Sequence, residues 1–199
     1  MSNLARRSIG LTGGIGTGKT TVSNYLADKY GLLILDADIY AREAVEPGSP
    51  ILETILARYD ETVKLPGGEL NRSRLGEIIF HQPQEKLWLE AQIHPFVRDR
   101  FSQVLQNIKS ATVVLSIPLL FEANLTELVS EIWVVHCDRD RQIQRLKQRN
   151  GLTTEQAEVR INSQLPLAEK IAQADQAINN NFGLTELYLQ VDEALVNYI

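Results

Sequence analysis

Cysteine is almost absent: Cys137 is the only one in 199 residues. No intramolecular disulfide can form, and a single free thiol suits a reducing compartment. At the end of an apolar stretch, Cys137 reads as a small core residue rather than as a nucleophile or ligand. Positive charge is also short. Twenty Lys and Arg against 25 Asp and Glu leave a net charge of −5, with a pI near 5.3. Nothing global favours nucleic acid or an anionic membrane, so any anion site must be built locally. No apolar run approaches the roughly 20 residues that cross a bilayer. The opening "MSNLARRSIGLTGG" has two arginines, but glycines interrupt the apolar run behind them, which makes it a poor signal peptide. Coiled-coil heptads are missing too. The expectation is a soluble cytoplasmic monomer with no nucleic-acid or membrane partner. With 44% hydrophobic and 23% charged residues, the chain can build a core without disulfide or metal staples.

What is present alternates between strand and helix. "SIGLT" (8–12), "LLILDAD" (32–38), "TVVLSIP" (112–118), "EIWVVHC" (131–137) and the weaker "QAINN" (176–180) read as strands. A helical stripe follows the first, through Val22, Tyr25, Leu26 and Tyr30, and another closes the chain through Leu184, Leu187, Val191 and Leu195. Apolar strands separated by helices predict a mostly parallel sheet of about five strands, covered on both faces. Residues 40–108 and 138–170 interrupt this alternation with helical pattern and no strand. In the first excursion Pro95 cannot donate to the carbonyl of Ala91, which predicts a kink or a restart of the helix there.

Gly13-Gly14-Ile15-Gly16-Thr17-Gly18-Lys19-Thr20 satisfies G-x-x-x-x-G-K-[ST] between a predicted strand and a predicted helix. Glycines let backbone N–H groups turn toward phosphate oxygens, and the helix N-terminus adds partial positive charge. Lys19 can reach the β and γ phosphates, and the Thr20 hydroxyl can bind Mg²⁺. A glycine turn that binds nothing would not need the lysine, the threonine and both flanking elements. The chain is read as a P-loop NTPase: an α/β three-layer sandwich.

The reaction has to be read elsewhere. A guanine-reading Asn-Lys-x-Asp is lacking, since the late polar run is "INNNFG". The third strand ends in proline rather than in the acidic metal holder of a motor ATPase. A kinase for a small acceptor needs a carboxylate for the attacking hydroxyl and cations around the phosphoryl group. Asp36 and Asp38 end the second strand, at the sheet edge where ligands bind. Asp36 reads equally as a helix cap, a metal contact or a catalytic group. Arg141, Arg145 and Arg149 recur every fourth residue, with Arg139, Lys147 and Arg160 nearby. They read as a solvated helix face or as a lid that brings arginines to a triphosphate.

With these residues in view, the sequence resembles the dephospho-CoA kinase family. The matching stretches are "LTGGIGTGKTT", "DADIYAREAVEPGSP", "HPFVRDR", "IPLLFE", the basic segment, and "AD" followed by an Asn-rich turn; they run from residue 10 to about 183. The resemblance implies Mg²⁺ and ATP as cofactors and dephospho-CoA as the small-molecule partner. It implies a nucleotide core (1–38, 109–137, 171–199), a helical lobe for the CoA substrate (39–108) and a helical lid (138–170). Carried over by motif, Gly13, Gly14, Gly16, Thr17, Gly18, Lys19, Thr20 and Thr21 hold the nucleotide, together with Arg145, Arg149 and Asn181. Thr20 and Asp36 are the metal-linked pair. Asp38, Lys19 and Arg145 are the catalytic set. Asp38, Arg42, His94, Pro118, Leu119, Leu120, Glu122 and Arg160 meet the acceptor. His94 also reads as the cap of a helix started by Pro95, and Leu119 and Leu120 by themselves read as core residues. "AINNNFG" carries one residue more than the family's usual turn, which leaves open which asparagine lies by the adenine. The rival readings are a P-loop kinase for a nucleoside or nucleoside monophosphate, and a regulatory module timed by hydrolysis.

Overall fold

The computed structural model describes residues 6–196, together with all their side chains except those of Phe80 and His81. Part of the stretch weighed as a signal peptide, residues 1–5, lies outside the described residues. Strands β1 (Arg7–Gly13), β2 (Leu33–Asp36), β3 (Thr112–Ser116), β4 (Glu131–His136) and β5 (Gln176–Asn179) form one parallel sheet. Their order is β2-β3-β1-β4-β5. Parallel pairing brings all five C-terminal ends to one edge, and β1 lies between β3 and β4 at its centre.

Alternation along β1 explains its two faces. Ile9 and Leu11 point into a core completed by Val22 and Leu26 of α1 (Lys19–Tyr30), Val114, Trp133, Val135, Ile178, and Leu187 and Val191 near the C-terminus. Burying each such aliphatic side chain contributes about 1.5–3 kcal/mol. Gly10 faces the other way, where a Cβ would come within 3.0 Å of Val129 and 3.2 Å of Leu120. Helix α1 stops because Gly31 adopts φ 63°, with its N–H returning to the Ala27 carbonyl at 2.9 Å, the bond of an αL cap.

The chain divides into two compact units. One contains the sheet and runs to Asp36, then resumes at Lys109; Ala37–Ile108 is the other. The second unit holds α2 (Ala37–Glu43), α3 (Pro50–Tyr59), α4 (Arg72–His81) and α5 (Pro83–Asn107) around Leu52, Ile55, Val63, Leu70, Leu75 and Leu89. Ser49 caps α3 by accepting the Leu52 N–H at 3.0 Å. Arg58 grips Glu85 with two bonds of 2.7 and 2.8 Å. In the sheet-bearing unit, α6 (Arg139–Asn150), α7 (Thr154–Asn162), α8 (Leu167–Ile171) and α9 (Leu184–Val196) complete the chain. No helix among the described residues is long and apolar enough to cross a membrane.

Two local expectations change. The predicted second strand stops at Asp36 and α2 begins at Ala37, so Asp36 and Asp38 sit on different elements. Helix α5 runs through Pro95 without restarting. Ala91 and Pro95 are both exposed, so the carbonyl that loses its partner faces the water side, where solvent can satisfy it.

Candidate active site

The loop after β1 is held by its carbonyls. Gly14 O accepts from the Thr17 N–H at 3.2 Å and the Thr17 hydroxyl at 2.8 Å. Ile15 O accepts from Gln142 Nε2 at 2.7 Å. Gly16 O and Thr17 O accept from one guanidinium nitrogen of Arg145 at 3.1 and 3.0 Å. Thr17 O also takes Asn180 Nδ2 at 2.7 Å, and Gly18 O accepts the Thr21 N–H at 3.0 Å. In a trans peptide the N–H points opposite the preceding carbonyl. With these oxygens turned to protein, the N–H groups of Gly16, Gly18 and Lys19 turn to the concave side. That is the donor array a phosphate needs, at a helix N-terminus that adds positive potential.

Two glycines are required by space. A Cβ on Gly13 would meet the Val135 carbonyl oxygen, and one on Gly18, at φ 103°, would meet the Asn180 amide. Thr17, expected among the nucleotide ligands, is fully buried with its hydroxyl on Gly14. Its side chain shapes the loop from beneath. Thr20 is exposed on the first turn of α1, and Thr21 beside it is half-buried.

The lysine of the loop is already placed. Lys19 Nζ donates to the Ser116 hydroxyl, and Ser116 donates onward to Asp36 Oδ2 at 3.0 Å. Strand register explains the relay, because Ser116 pairs with Leu11 on one side and Asp36 on the other. Ser116 is fully buried. The Thr20 hydroxyl and the Asp36 carboxylate are hard oxygen donors, the kind Mg²⁺ takes. Among the described residues no cluster of three or more His, Cys, Asp or Glu forms a metal cage.

The basic stripe of α6 is not one solvent face. Gln142, Arg145 and Leu146 turn inward together, whereas Arg141 and Arg149 are exposed. Arg145 was expected to meet phosphate directly. Its guanidinium instead grips the back of the loop, and its second terminal nitrogen bonds the Asn180 carbonyl at 3.2 Å. Arg149 bonds its neighbour Asn150 at 3.0 Å, and Arg160 is exposed on α7. Cys137 lies against Arg145 Nη1 at 3.6 Å. Burial pushes its thiol pKa up, against the pull of the Arg145 charge.

Among the asparagines, Asn180 is the one buried against the loop. Asn181 does other work. Its Oδ1 accepts the Asp138 N–H at 2.8 Å and its Nδ2 donates to the Asp138 carboxylate at 2.9 Å, which fixes the start of α6.

The segment after β3 curls back over the sheet. Leu120 is fully buried beneath Gly10, so it packs the core instead of facing a ligand. Pro118 and Leu119 are partly exposed. Pro118 O accepts the Thr12 hydroxyl at 3.1 Å. Glu122 pairs at 2.7 Å with Lys170, which is fully buried, and also accepts the Leu165 N–H at 3.0 Å.

The second unit holds the remaining candidates. Asp38 and Arg42 lie one turn apart on α2, both exposed, and the Arg42 carbonyl accepts from Arg72 at 3.4 Å. His94 lies well inside α5, eleven positions after the helix starts at Pro83, so it caps nothing. Burial lowers its pKa from 6.5, against the raising effect of Glu90.

A family model for dephospho-CoA kinase matches residues 7–186. The chain belongs to the dephospho-CoA kinase family. A dephospho-CoA kinase of Trichormus variabilis is 59% identical over 172 residues, 86% of this chain and 88% of that protein. Among solved structures, a Thermus thermophilus protein superposes with a TM-score of 0.83 at 30% identity, over 98% of both chains. Dephospho-CoA kinase from Campylobacter jejuni superposes at 0.69 with 26% identity, over 94% of both. In this dephospho-CoA kinase family chain, Ser116, Gln142 and Gln164 bond Lys19 or the phosphate loop and are not among the residues the sequence singled out, whereas Asn180 is the one of the open asparagines that reaches the loop. For Ser116 and Gln142 the signal was faint, a polar residue inside an apolar strand or on the buried stripe of a helix, and for Gln164, in a turn, there was none.

Proposed function

We propose that the chain moves the terminal phosphoryl group of ATP to the ribose 3′-hydroxyl of dephospho-CoA, releasing ADP and coenzyme A. The observation that carries this reading is the relay from Lys19 through Ser116 to Asp36 beside the carbonyl-anchored loop. It holds a cation and a carboxylate at the mouth of an anion cradle. Membership of the dephospho-CoA kinase family supports the acceptor.

Asp38 follows Asp36 by two residues, so the two Cα atoms lie within about 7 Å of each other. In the proposed mechanism Asp38 accepts the 3′-hydroxyl proton as that oxygen attacks the γ-phosphorus. The bond to the bridging oxygen breaks, and ADP leaves with its electron pair. Lys19 and the loop N–H groups take up the charge that spreads over the phosphoryl oxygens. Thr20 and Asp36 would hold Mg²⁺, which would supply positive charge to the phosphates. Arg42, His94, Pro118, Leu119 and Glu122 serve the acceptor, with 39–108 as its lobe. Residues 138–170 act as the lid, bringing Arg149 toward the phosphates and Arg160 toward the acceptor, while Arg145 acts through the loop it grips. The working form is a cytoplasmic monomer.

The experiment is ADP release from Mg·ATP with and without dephospho-CoA, with the product weighed by mass spectrometry. A rate that requires dephospho-CoA and a product heavier by one phosphate support the reading. Release indifferent to dephospho-CoA overturns the acceptor. Because the transition state is loose, positioning matters more than base strength. Asp38→Asn is therefore expected to lower turnover about 100-fold while ATP affinity stays within about twofold; a parental single-turnover rate would remove Asp38 from the mechanism.

A further inference from the structure

Every loop carbonyl described above has a donor, and besides the Thr17 N–H bonded to Gly14 O, one more loop N–H is taken, by a side chain. Ile15 N–H donates to Gln164 Oε1 at 2.8 Å, while Ile15 O accepts from Gln142 Nε2 at 2.7 Å. These two bonds fix different peptide planes, Gly14–Ile15 and Ile15–Gly16. Each plane adjoins a glycine, which lacks the Cβ that would restrict rotation. The crown of the loop is thus the part with the least intrinsic stiffness, and two glutamine side chains supply it.

Gln164 is not a loosely tethered side chain. It lies in the turn between α7 and α8, and the next residue, Leu165, donates its N–H to Glu122 Oε1 at 3.0 Å. Glu122 is held in turn by the buried ammonium of Lys170 at 2.7 Å. A continuous path therefore runs from a buried ion pair, through the 164–165 turn, to the crown of the loop. All of it lies within the sheet-bearing unit.

We infer that Gln164, with Gln142, is a positioning residue for nucleotide binding: it holds the phosphate loop in its anion-ready shape before the nucleotide arrives. The inference rests on the reading that this loop takes the phosphates of ATP. Its consequence is specific. A loop that reaches the competent shape only part of the time binds more weakly in proportion to that fraction, yet reacts normally once saturated. Loss of the pin should raise the KM for ATP and leave kcat alone.

Gln164→Met keeps the length of the side chain and removes the acceptor; Gln164→Glu keeps an acceptor oxygen. In Gln164→Met, ADP affinity measured by calorimetry is expected to fall about fivefold, the worth of one ordinary hydrogen bond. The KM for ATP should rise by the same factor, with kcat within about twofold of the parent. Amide exchange at Ile15 should quicken about fivefold in Gln164→Met and return toward the parental rate in Gln164→Glu, while Val22 and Leu26 in α1 exchange as before. Unchanged ADP affinity, unchanged Ile15 exchange, or a fall in kcat at constant KM would each overturn the inference. Faster exchange at Val22 and Leu26 as well would make Gln164 a general structural residue, which also overturns it. ADP affinity needs no acceptor, so failure of transfer to dephospho-CoA would strike the functional reading and leave this test intact.

Discussion

Ser116 ties together two charged groups of the site, Lys19 at the end of the phosphate loop and Asp36 at the end of β2. Its hydroxyl accepts from one and donates to the other, so each has a fixed place. Ser116→Ala removes that shared anchor and leaves Lys19 less firmly aimed at the loop. The variant is expected to slow single-turnover transfer about tenfold, because the hydroxyl that positions both groups is gone. Stability should move by no more than about 1 kcal/mol, since both charged groups still find a partner. Rapid-quench kinetics and urea unfolding on the same preparation check the two halves. A parental transfer rate would reduce Ser116 to packing.

At the scale of elements, helix α6 is tied to the phosphate loop by polar contacts whose partners are remote in sequence. Gln142 and Arg145 reach carbonyls 127 and 129 positions away along the chain. This is why α6 misled a reading from spacing. Arginines at 141, 145 and 149 share a stripe on paper, but the stripe that turns inward carries Gln142, Arg145 and Leu146. By contrast the strands were legible, because each is a short apolar run bounded by glycine, proline or polar residues. The phosphate loop was legible because its chemistry is written in consecutive residues. What stayed hidden is what depends on tertiary neighbours: which asparagine turns in, and that Lys170 is buried. Lys170 on α8 carries the next expectation. Its ammonium is fully buried, and its partner Glu122 keeps 23% of its side chain exposed. Lys170→Met strands a carboxylate, and the lower end of the usual range applies, a loss of about 3 kcal/mol. Adding Glu122→Gln, which keeps an oxygen for Leu165 N–H, should recover at least half of that. Urea unfolding of the single and double variants measures it, and a neutral Lys170→Met would show that the pair carries no net stability.

For the whole molecule the acidic balance and the two units meet in the response to pH. One partly buried histidine lies in each unit: His136 at the end of β4 and His94 within α5. Burial lowers both pKa values from 6.5, and in each case a nearby carboxylate, Asp138 or Glu90, only partly opposes it. The unfolded chain, with ordinary histidines, therefore binds more protons than the folded chain as pH falls below about 6.5. Stability rises with pH wherever the unfolded state holds more protons. The contribution of each histidine is complete above its unfolded pKa and is lost as pH falls through the folded value. Glu85, held near 2 by its bonds from Arg58 and Tyr59, adds a loss of its own only as pH falls through its unfolded value, below this window. The urea midpoint is thus expected to fall between pH 7.5 and pH 5.5. His94→Gln and His136→Gln should each flatten part of that slope, because neither variant can take up the proton. If the slope survives in the double variant, the acid sensitivity belongs to other groups and the burial of these imidazoles is without thermodynamic weight.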